Sequence, residues 1–326
     1  MKKKRTFIIA EIGNNHEGNF QNAKKMIFNA YKAGVDAVKF QTFVTDEFIS
    51  KEKNEKAYFR FKKFELSYKE FTKLRDYSHK FNLKFISTPL DLGSADFLIK
   101  KADYIKIASG DNNFFPLIEK VILSGKKLII STGMMNSKNL IELNKNILKI
   151  TSKKNAFNKI SLLHCVTSYP VENKYANLNS IKYLTRNFKY QIGYSDHTHG
   201  KEACFAAVAL GASIIEKHFT LSKTFSSFRD HALSADYSEM KAIVKGIRKI
   251  ESQLGQFNKE VQLCEKENLT LARRGIYASR KIKKGERLSP KNLKFLRPSF
   301  NKKFNVFDQV FKKKAKKNFS KNKAIL

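Results

Sequence analysis

The sequence predicts an α/β protein whose main part is a (β/α)8 TIM barrel, followed by a small second unit. Eight short β-rich runs alternate with segments of helical periodicity over about 250 residues, the usual extent of such a barrel. The chain of 326 residues leaves room for one further small unit. A doubly wound Rossmann sheet is the alternative, but its glycine fingerprint is absent from the sequence.

The predicted strands are bounded by helical segments. They span residues 7–13, 37–42, 84–89, 104–109, 127–132, 160–166, 190–196 and 213–219. The first predicted helix spans about residues 20–33, places its apolar residues on one stripe and stops at Gly34. Residues 202–211 repeat this pattern before the eighth strand and again end in glycine.

The composition predicts a cytoplasmic globular protein. With 42% hydrophobic residues and no long apolar run, we expect neither a secretory signal nor a membrane span, and no membrane partner.

Cys165, Cys204 and Cys264 lie far apart without CxxC spacing, which predicts buried, reduced thiols. Cys165 follows His164, but a small apolar role within its strand is favoured over that of a catalytic nucleophile.

The formal net charge of +35 raises the question of a nucleic-acid partner. Residues 268–326 hold 19 lysines and arginines against Glu286 and Asp308, so this segment alone carries +17. The aromatic-flanked motifs with which RNA-binding folds read bases are absent. We therefore expect no nucleic-acid partner and interpret the charge as a solvated, lysine-rich surface, with one exception given below.

Polar side chains stand at or near the ends of the predicted strands. In a TIM barrel these ends meet at one mouth, where active sites lie. A single serine or lysine at a strand end is more often a surface residue, but eight polar ends in register favour a site. The residues are Glu11, Lys39, Gln41, Thr88, Lys106, Ser109, Ser131, His164, Thr167, Ser195, His197, Glu216 and His218.

These residue types indicate three chemical roles. Lys39 and Lys106 among hydroxyl groups predict a pocket for an anion such as phosphate or carboxylate. His197 and His218 come from adjacent strands and fit a divalent metal that keeps positions for water and substrate; two core histidines are the alternative. Glu11 is then the candidate acid–base group. An anion, a metal and a carboxylate together favour carbon–carbon or phosphoryl chemistry.

Eight motifs in order also carry a family resemblance. Residues 7–220 contain "IAEIGNNHEG", "AVKFQTF", "FISTPLD", "YIKIASGD", "IISTGM", "LLHCVTSYP", "IGYSDHT" and "IIEKHFT", and they resemble the sialic acid synthases. The segment "RRGIYASRKIKKGERLSPKNLKFLRP" is similar to the small C-terminal SAF domain of that family, which is related in shape to type III antifreeze proteins. The expected organisation is a barrel over residues 1–250, a linker over 251–267 and a β-rich SAF domain over 268–326.

The resemblance implies a metal-dependent condensation. Phosphoenolpyruvate and an N-acetylmannosamine-type sugar would give a nonulosonic acid and inorganic phosphate. In that family Mn²⁺ or Mg²⁺ binds and polarises the aldehyde of the open-chain sugar, and His197 and His218 would be its ligands. Carbon 3 of phosphoenolpyruvate attacks the aldehyde, water adds to carbon 2, and phosphate leaves by C–O cleavage.

The resemblance also assigns roles to single residues. Glu11 would lie beside the reacting carbon, and Gln41 and Tyr169 near the sugar. Two further substrate-site positions depart from the family pattern: Asp111 stands where glutamate is frequent, and Thr167 where many members have asparagine or serine. The residues expected to hold phosphoenolpyruvate are Lys39, Thr88, Lys106, Ser109, Ser131 and Ser195.

Arg297 is the exception within the basic tail. It matches an arginine that in the family reaches into the active site of the partner subunit and contacts the sugar, which implies a domain-swapped homodimer. Its Arg-Pro pair is followed by Ser299, where glycine is usual. One more surface cation is the alternative interpretation of Arg297.

Three alternatives accompany this interpretation. The acceptor is either N-acetylmannosamine or a 2,4-diacetamido-6-deoxy relative that leads to legionaminic acid. A 3-deoxy-octulosonate-type synthase shares the barrel and phosphoenolpyruvate, but the SDHT motif at 195–198 and the second domain argue against it. A non-catalytic barrel that binds glycan or RNA is the alternative of another class, and the complete set of polar strand ends argues against it.

Overall fold

The computed structural model describes residues 5–299, 307–311 and 313–325. The chain forms two compact units, Met1–Gly255 and Gln256–Leu326. The boundary between the units falls within residues 251–267, the predicted linker. The larger unit is a closed barrel of eight parallel strands and the smaller one contains an antiparallel strand pair, so the predicted fold class is confirmed.

The barrel strands pair in sequence order, and the last strand returns to pair with the first. Each strand begins and ends within two residues of its predicted bounds. The strands are β1 (Phe7–Gly13), β2 (Ala37–Thr42), β3 (Lys84–Pro89), β4 (Tyr104–Ile107), β5 (Lys127–Ser131), β6 (Ile160–Cys165), β7 (Gln191–Asp196) and β8 (Ile214–His218).

Helices connect successive strands and cover the outside of the barrel. Those of the larger unit are α1 (Phe20–Ala33), α2 (Thr45–Phe48), α3 (Glu55–Phe64), α4 (Tyr68–His79), α5 (Leu92–Lys101), α6 (Phe115–Leu123), α7 (Ser137–Ile150), α8 (Lys153–Lys159), α9 (Asn179–Asn187), α10 (Glu202–Ala209), α11 (Asp230–Leu233) and α12 (Tyr237–Gln253). Short 3-10 turns lie at Ser109–Asp111 and Asn173–Tyr175.

Local chemistry sets the ends of α1. The side chain of Asn19 accepts the backbone N–H of Asn22 at 3.0 Å, which satisfies one of the free donors of the first turn. Gly34 ends the helix with a φ of 86°, a left-handed conformation that side chains disfavour. The predicted helix 20–33 therefore agrees with the observed one.

Alternation along the strands stacks a polar layer on an apolar one inside the barrel. One buried cluster consists of Ile9, Ala37, Ile86, Ile129, Leu163 and Ile214. Two positions further along the same strands stand Glu11, Lys39, Thr88, Ser131, Cys165 and Glu216. Because residues two apart share one face of a strand, the polar layer lies at the carboxyl ends, above the apolar layer.

The strand register brings functional candidates side by side. Glu11 on β1 pairs with Lys39 on β2 and with His218 on β8. Ser195 on β7 pairs with Glu216 on β8. The closure of the barrel between β8 and β1 therefore joins the first and last motifs of the sequence.

The smaller unit has its own core. It contains α13 (Asn268–Leu271), β9 (Gly275–Ala278), β10 (Leu293–Leu296) and α14 (Phe307–Val310), with a 3-10 turn at Leu263–Glu265. Strands β9 and β10 pair antiparallel. The core consists of Ile276, Ala278, Ile282, Leu288, Leu293, Val310, Ala315 and Phe319. A separate apolar core is what a domain needs to pack on its own.

Two further predictions concern cysteines and membranes. All three cysteines are free, and Cys165 and Cys204 are buried. Cys264 is exposed, so the prediction of burial is wrong for this residue, which lies in a 3-10 turn outside both cores. Within the described ranges, no helix combines the length and the apolar character that crossing a bilayer requires.

Candidate active site

A cavity lies at the carboxyl ends of the strands, and most of the predicted site residues line it. All eight strands contribute side chains to the lining. The predicted residues in the lining are Glu11, Lys39, Gln41, Thr88, Lys106, Ser109, Ser131, Tyr169, Ser195, His197, Glu216 and His218. The structure therefore brings together residues that are up to 207 positions apart in the sequence.

Buried charges form the base of this cavity. Nζ of Lys39 lies 2.8 Å from Oε2 of Glu11 and 3.7 Å from Oε1 of Glu216. Nζ of Lys106 lies 3.9 Å from the same Glu216 oxygen and donates to Oγ of Ser131 at 2.5 Å. Two cations and two carboxylates thus balance each other away from water, as buried charges require.

Burial and pairing shift the ionisation of these four groups. Burial raises the pKa of Glu11 to about 7, although Lys39 favours the charged carboxylate. Burial lowers the pKa of Lys106. Burial would lower the pKa of Lys39, but the nearby carboxylates Glu11 and Glu216 outweigh it and raise this pKa. Burial would raise the pKa of Glu216, but Lys106 and Lys39 outweigh it and lower this pKa. Glu11 is therefore suited to exchange a proton near neutral pH.

The two predicted metal ligands lie side by side. The ring centroids of His197 and His218 are 5.3 Å apart. Nδ1 of His197 lies 2.8 Å from the carbonyl oxygen of Val166, which places the proton on Nδ1 and leaves the lone pair of Nε2 free. Nδ1 of His218 is buried without a hydrogen-bond partner. Burial holds the pKa of His218 well below its usual range, so this ring stays neutral.

The histidine pair fits a divalent metal. Neutral imidazoles ligate first-row metals, and a backbone carbonyl that fixes the tautomer of one ring is a frequent support for such a ligand. In the part of the chain that the structure describes, no group of three or more His, Cys, Asp or Glu side chains could hold an ion. His197 and His218 would therefore supply two ligands and leave the other positions to water and substrate.

Tyr169 and Gln41 lie on the same cavity. The ring of Tyr169 is centred 4.3 Å from that of His197 and 5.8 Å from that of His218. Oε1 of Gln41 accepts from the amide of Asn14 at 2.6 Å, which fixes the orientation of Gln41. Tyr169 thus covers the histidine pair, where the acceptor sugar is expected.

Several buried polar atoms of the cavity have no hydrogen-bond partner. They include Oγ1 of Thr88, Oε2 of Glu216 and Nδ1 of His218. Buried polar groups are nearly always satisfied, so a cluster of unsatisfied ones marks a place that a polar ligand completes.

Two predicted substrate residues of the larger unit do not line this cavity, and a third lies in the smaller unit. Asp111 ends the 3-10 turn after β4. Thr167 lines a neighbouring cavity, which shares Cys165 with the first. Arg297 follows β10 in the smaller unit and is exposed. The functional roles of all three stay predictions.

The expectation that His164 lies at the mouth is wrong. Its Nε2 lies 2.9 Å from the carbonyl oxygen of Ala176, and its ring stacks on Tyr194 with centroids 5.6 Å apart. Cys165, the next residue, lines the cavity instead. Side chains alternate between the two faces of a strand, so only one of the two adjacent residues reaches the inside.

Residues of the connecting segments were missed by the sequence analysis. Arg60 and Phe61 of α3 and Phe228, Arg229 and Asp230 after β8 also line the cavity. The prediction rested on residues at the ends of strands, and these five residues lie elsewhere. One signal in the sequence could have indicated the second group. Three adjacent charged or titratable residues stand at 229–231, soon after the histidine of β8.

A closed (β/α)8 barrel with a buried, charged cavity at the carboxyl ends of its strands defines an enzyme of the TIM-barrel class. The chain belongs to the NeuB family, whose model matches residues 26–259, and residues 273–326 match the SAF domain. The predicted family and the prediction of an acid synthase are confirmed, and the alternative of a non-catalytic barrel is set aside.

Individual relatives and a solved structure are similar to this chain. An uncharacterized protein of Methanocaldococcus jannaschii is 47% identical over 90% of this chain and 85% of its own length. The N,N'-diacetyllegionaminic acid synthase of Campylobacter jejuni is 38% identical over 99% of both chains. The crystal structure of the N-acetylneuraminic acid (sialic acid) synthetase of Leptospira borgpetersenii, in complex with citrate, aligns with a TM-score of 0.76 and 35% identity over 81% of this chain and 90% of that one.

Proposed function

We propose that the protein condenses phosphoenolpyruvate with an N-acetylmannosamine-type sugar to a nonulosonic acid and inorganic phosphate. The observation that carries this proposal is the meeting of Lys39, Lys106 and Glu11 with the His197–His218 pair in one cavity. Such a cavity offers an anion site, an acid–base group and two metal ligands to a pair of reactants. The names of the relatives support the same chemistry.

Phosphoenolpyruvate would occupy the base of the cavity. Lys39 and Lys106 supply buried positive charge, which hydrogen-bonds an anionic oxygen more strongly than a neutral donor does. The hydroxyl groups of Thr88 and Ser131 provide directional donors around them, while that of Ser195 donates to Glu216 and can accept from a ligand. Oγ1 of Thr88 is among the unpartnered atoms, which agrees with a role in binding.

The reaction needs proton transfers in opposite directions. A bond forms between carbon 3 of phosphoenolpyruvate and the aldehyde carbon, and the aldehyde oxygen takes up a proton. Water adds to carbon 2 and loses a proton. The bond from carbon 2 to the phosphate oxygen then breaks as the hydroxyl group of carbon 2 becomes the ketone, and the proton of that hydroxyl group goes to the departing phosphate. Glu11, whose pKa lies at about 7, serves both transfers, because it gives and accepts a proton at similar cost.

A divalent cation, Mn²⁺ or Mg²⁺, would be held by His197 and His218 and would polarise the aldehyde of the acceptor. Tyr169 packs against both rings and limits the access of water to them. Gln41, held by Asn14, presents its amide to the hydroxyl or acetamido groups of the sugar.

The acceptor has two candidates. N-Acetylmannosamine is the simpler one. A 2,4-diacetamido-6-deoxy sugar is the second, and the relative from Campylobacter jejuni, which is named for a diacetyllegionaminic acid, favours it. We further propose that the chain acts as a domain-swapped homodimer in which Arg297 serves the site of the partner subunit.

Phosphate release tests the proposed function directly. The purified protein with Mn²⁺ is given phosphoenolpyruvate and each acceptor in turn, and release is expected to require one of them. With ¹⁸O in the bridging position of phosphoenolpyruvate, C–O cleavage carries the label into the phosphate. Label retained in the sugar acid, or release without acceptor, would contradict the proposal.

Chelation tests the metal part separately. Excess chelator is expected to abolish turnover, Mn²⁺ to restore it, and His218→Ala to resist rescue. His199→Ala is the matched control, because His199 is an exposed histidine close to His197 and lies outside the cavity lining. Full activity in excess chelator would contradict the metal assignment.

A further inference from the structure

A segment that follows β8 covers one side of the cavity. This cover segment is residues 221–234 and includes α11. It supplies Phe228, Arg229 and Asp230 to the cavity lining. The guanidinium carbon of Arg229 lies 5.0 Å from the ring centroid of Tyr169, and this ring packs on the two predicted metal-ligand histidines. The cover segment therefore lies on the side of the cavity where the acceptor is expected.

His231 ties the cover segment to the rest of the barrel. Its side chain is completely buried, and both ring nitrogens have partners. Nε2 lies 3.1 Å from Oε1 of Glu17, so this nitrogen carries a proton and donates to the carboxylate. Nδ1 lies 2.7 Å from Oγ1 of Thr220, the residue that precedes the cover segment. Because His231 directly follows Asp230, the position of its ring sets the position of the cavity lining.

Glu17 holds two residues of the cover segment at once. It stands in the loop between β1 and α1, and its Oε1 also accepts from Oγ of Ser226. The backbone of Glu17 has a φ of 51°, in the left-handed region that residues other than glycine seldom adopt. Such a conformation persists only where the surrounding structure enforces it, and it is frequent at functional sites. Glycine would fit this backbone without strain, but it would lack the carboxylate that holds His231.

The loop that carries Glu17, residues 14–19, also makes other contacts around the cavity. Nδ2 of Asn15 donates to Oγ of Ser234 at 3.0 Å, at the end of the cover segment. A Cβ atom on Gly18 would collide with the carbonyl oxygen of Lys63 on α3, so the absence of a side chain lets the loop meet this helix. The loop is therefore packed against both segments that cover the cavity, α3 and the cover segment.

On the basis of the proposed condensation, we propose that Glu17 and His231 are positioning residues for the acceptor. Their hydrogen bond fixes the cover segment, so its lining residues already stand in place when the acceptor binds. Neither residue lines the cavity, so both act through the cover segment rather than by touching a substrate. Lys39 and Lys106 bond to other residues of the barrel strands, so the binding of phosphoenolpyruvate is expected to be independent of this hydrogen bond.

His231→Asn tests the proposal. Asparagine keeps an amide near the position of Nδ1, where it can bond Thr220, but it is too short to reach Glu17. The acceptor is N-acetylmannosamine or its 2,4-diacetamido-6-deoxy relative, whichever the original protein uses. We expect its kcat/KM to fall by about tenfold to a hundredfold, since a displacement of about 1 Å in positioning groups has effects of this size. The KM for phosphoenolpyruvate and the Mn²⁺ affinity should stay close to those of the original protein.

His79→Asn is the matched control for this variant. Nε2 of His79 lies 2.7 Å from Oδ2 of Asp103, which is a second contact between a histidine and a carboxylate. It lies at the amino ends of the strands, opposite the cavity. His79→Asn is therefore expected to leave the kcat/KM for the acceptor unchanged.

Glu17→Gly separates positioning from stability. Because glycine adopts a φ of 51° without strain, the urea midpoint is expected to stay close to that of the original protein. The kcat/KM for the acceptor should nevertheless fall as in His231→Asn. Glu17→Gln keeps an oxygen that accepts from His231 and is expected to recover much of the efficiency. Since the two residues act through one hydrogen bond, the double variant of Glu17→Gly and His231→Asn should lose no more than either single variant.

Hydrogen exchange reports on the cover segment without any turnover. Peptides from residues 221–234 are expected to exchange faster in His231→Asn and Glu17→Gly than in the original protein or in His79→Asn. If either this exchange or the kcat/KM for the acceptor is unchanged, the inference is overturned. Equal losses for the acceptor, phosphoenolpyruvate and Mn²⁺ would show a general disturbance of the mouth and would also overturn it.

The same measurements distinguish this inference from the proposed function. If the original protein releases no phosphate with either acceptor, the proposed function fails, and the role of the two residues toward the acceptor fails with it. Faster exchange in both variants would still establish that Glu17 and His231 hold the cover segment. If phosphate is released with an acceptor but the variants react as efficiently as the original protein, the proposed function stands and the inference alone is overturned.

Discussion

Nζ of Lys217 lies 2.8 Å from Oδ2 of Asp196, and neither side chain is exposed to solvent. Lys217 also donates to the carbonyl oxygen of Thr198. Asp196 accepts further hydrogen bonds from Tyr194, Thr198 and Cys204. Asp196 directly precedes His197, and Lys217 directly precedes His218, so this ion pair ties together the two strand ends that carry the histidines.

Lys217→Met is expected to lower the free energy of unfolding by about 3–5 kcal/mol, because it leaves the charge of Asp196 buried without its cation. Urea unfolding at pH 7 measures this loss. Lys182→Met, at an exposed position of α9, is the control and should change the free energy by less than about 0.5 kcal/mol.

The same variant tests whether the ion pair supports the histidines. Lys217→Met is expected to weaken Mn²⁺ binding, measured by calorimetry, by about tenfold to a hundredfold, the usual cost of losing support behind a metal ligand. Arg248→Met removes hydrogen bonds to Asp36 and Glu251 at the other end of the barrel and should leave Mn²⁺ affinity intact. Equal loss of Mn²⁺ affinity in both variants would mean that the effect reflects stability alone.

Lys106→Ala is expected to lower kcat/KM for phosphoenolpyruvate by about tenfold to a hundredfold, because one charged hydrogen bond contributes about 1.5–3 kcal/mol. Initial rates at varied phosphoenolpyruvate concentration measure the change. Lys127→Ala is the control, since Lys127 is an exposed lysine at the start of β5, at the opposite end of the barrel. Unchanged kinetics in Lys106→Ala would place this lysine outside the binding site.

His16 is expected to make stability depend on pH. Burial lowers the pKa of His16 from 6.5 to about 4. The unfolded chain therefore binds a proton that the folded protein excludes, and the free energy of unfolding falls as the pH decreases from about 6.5 to 4. Above pH 6.5 this group does not reduce the free energy of unfolding. Below pH 4 the reduction is complete and amounts to about 3 kcal/mol, because each unit of pKa corresponds to 1.36 kcal/mol.

Comparison with His16→Phe isolates this contribution from other titrations. Phenylalanine keeps a ring beside Phe40 but cannot take up a proton. Urea unfolding at pH 7, 6 and 5 should show a smaller loss in the variant than in the original protein. Parallel pH profiles would show that His16 does not titrate differently in the two states.

Arg297→Ala is expected to be nearly inactive if the arginine serves the site of a partner subunit. Arg287→Ala, a second exposed arginine of the smaller unit, is the control and should stay active. Mixing Arg297→Ala with His218→Ala chains should restore activity, because a heterodimer has one mouth with intact histidines that receives an intact arginine. Random pairing limits the recovery to about a quarter of the original activity.

Size-exclusion chromatography and mass spectrometry of the mixture establish whether heterodimers form. If heterodimers are present and their activity does not exceed that of either parent, Arg297 does not act across the interface. A monomeric protein with full activity would exclude the swapped dimer altogether.

The sequence by itself determined the barrel and most of its mouth. Strand periodicity and the helical stripe that stops at Gly34 are local properties, so the bounds of β1 and α1 could be predicted from neighbouring residues. Glu11, Lys39 and His218 could be placed together without coordinates, because a closed parallel barrel carries all carboxyl strand ends to one side.

Only the tertiary structure decided which side chains face inward and which segments cover the mouth. His164 and Cys165 exchanged roles because a shift of one residue reverses the face of a strand, and a short apolar run does not reveal that phase. Arg60 and Arg229 meet the cavity because Phe64 packs on Phe228, a contact between distant segments without any sequence period. The buried pair of Asp196 and Lys217 likewise depends on strand pairing, since charge alone does not tell a surface lysine from one inside.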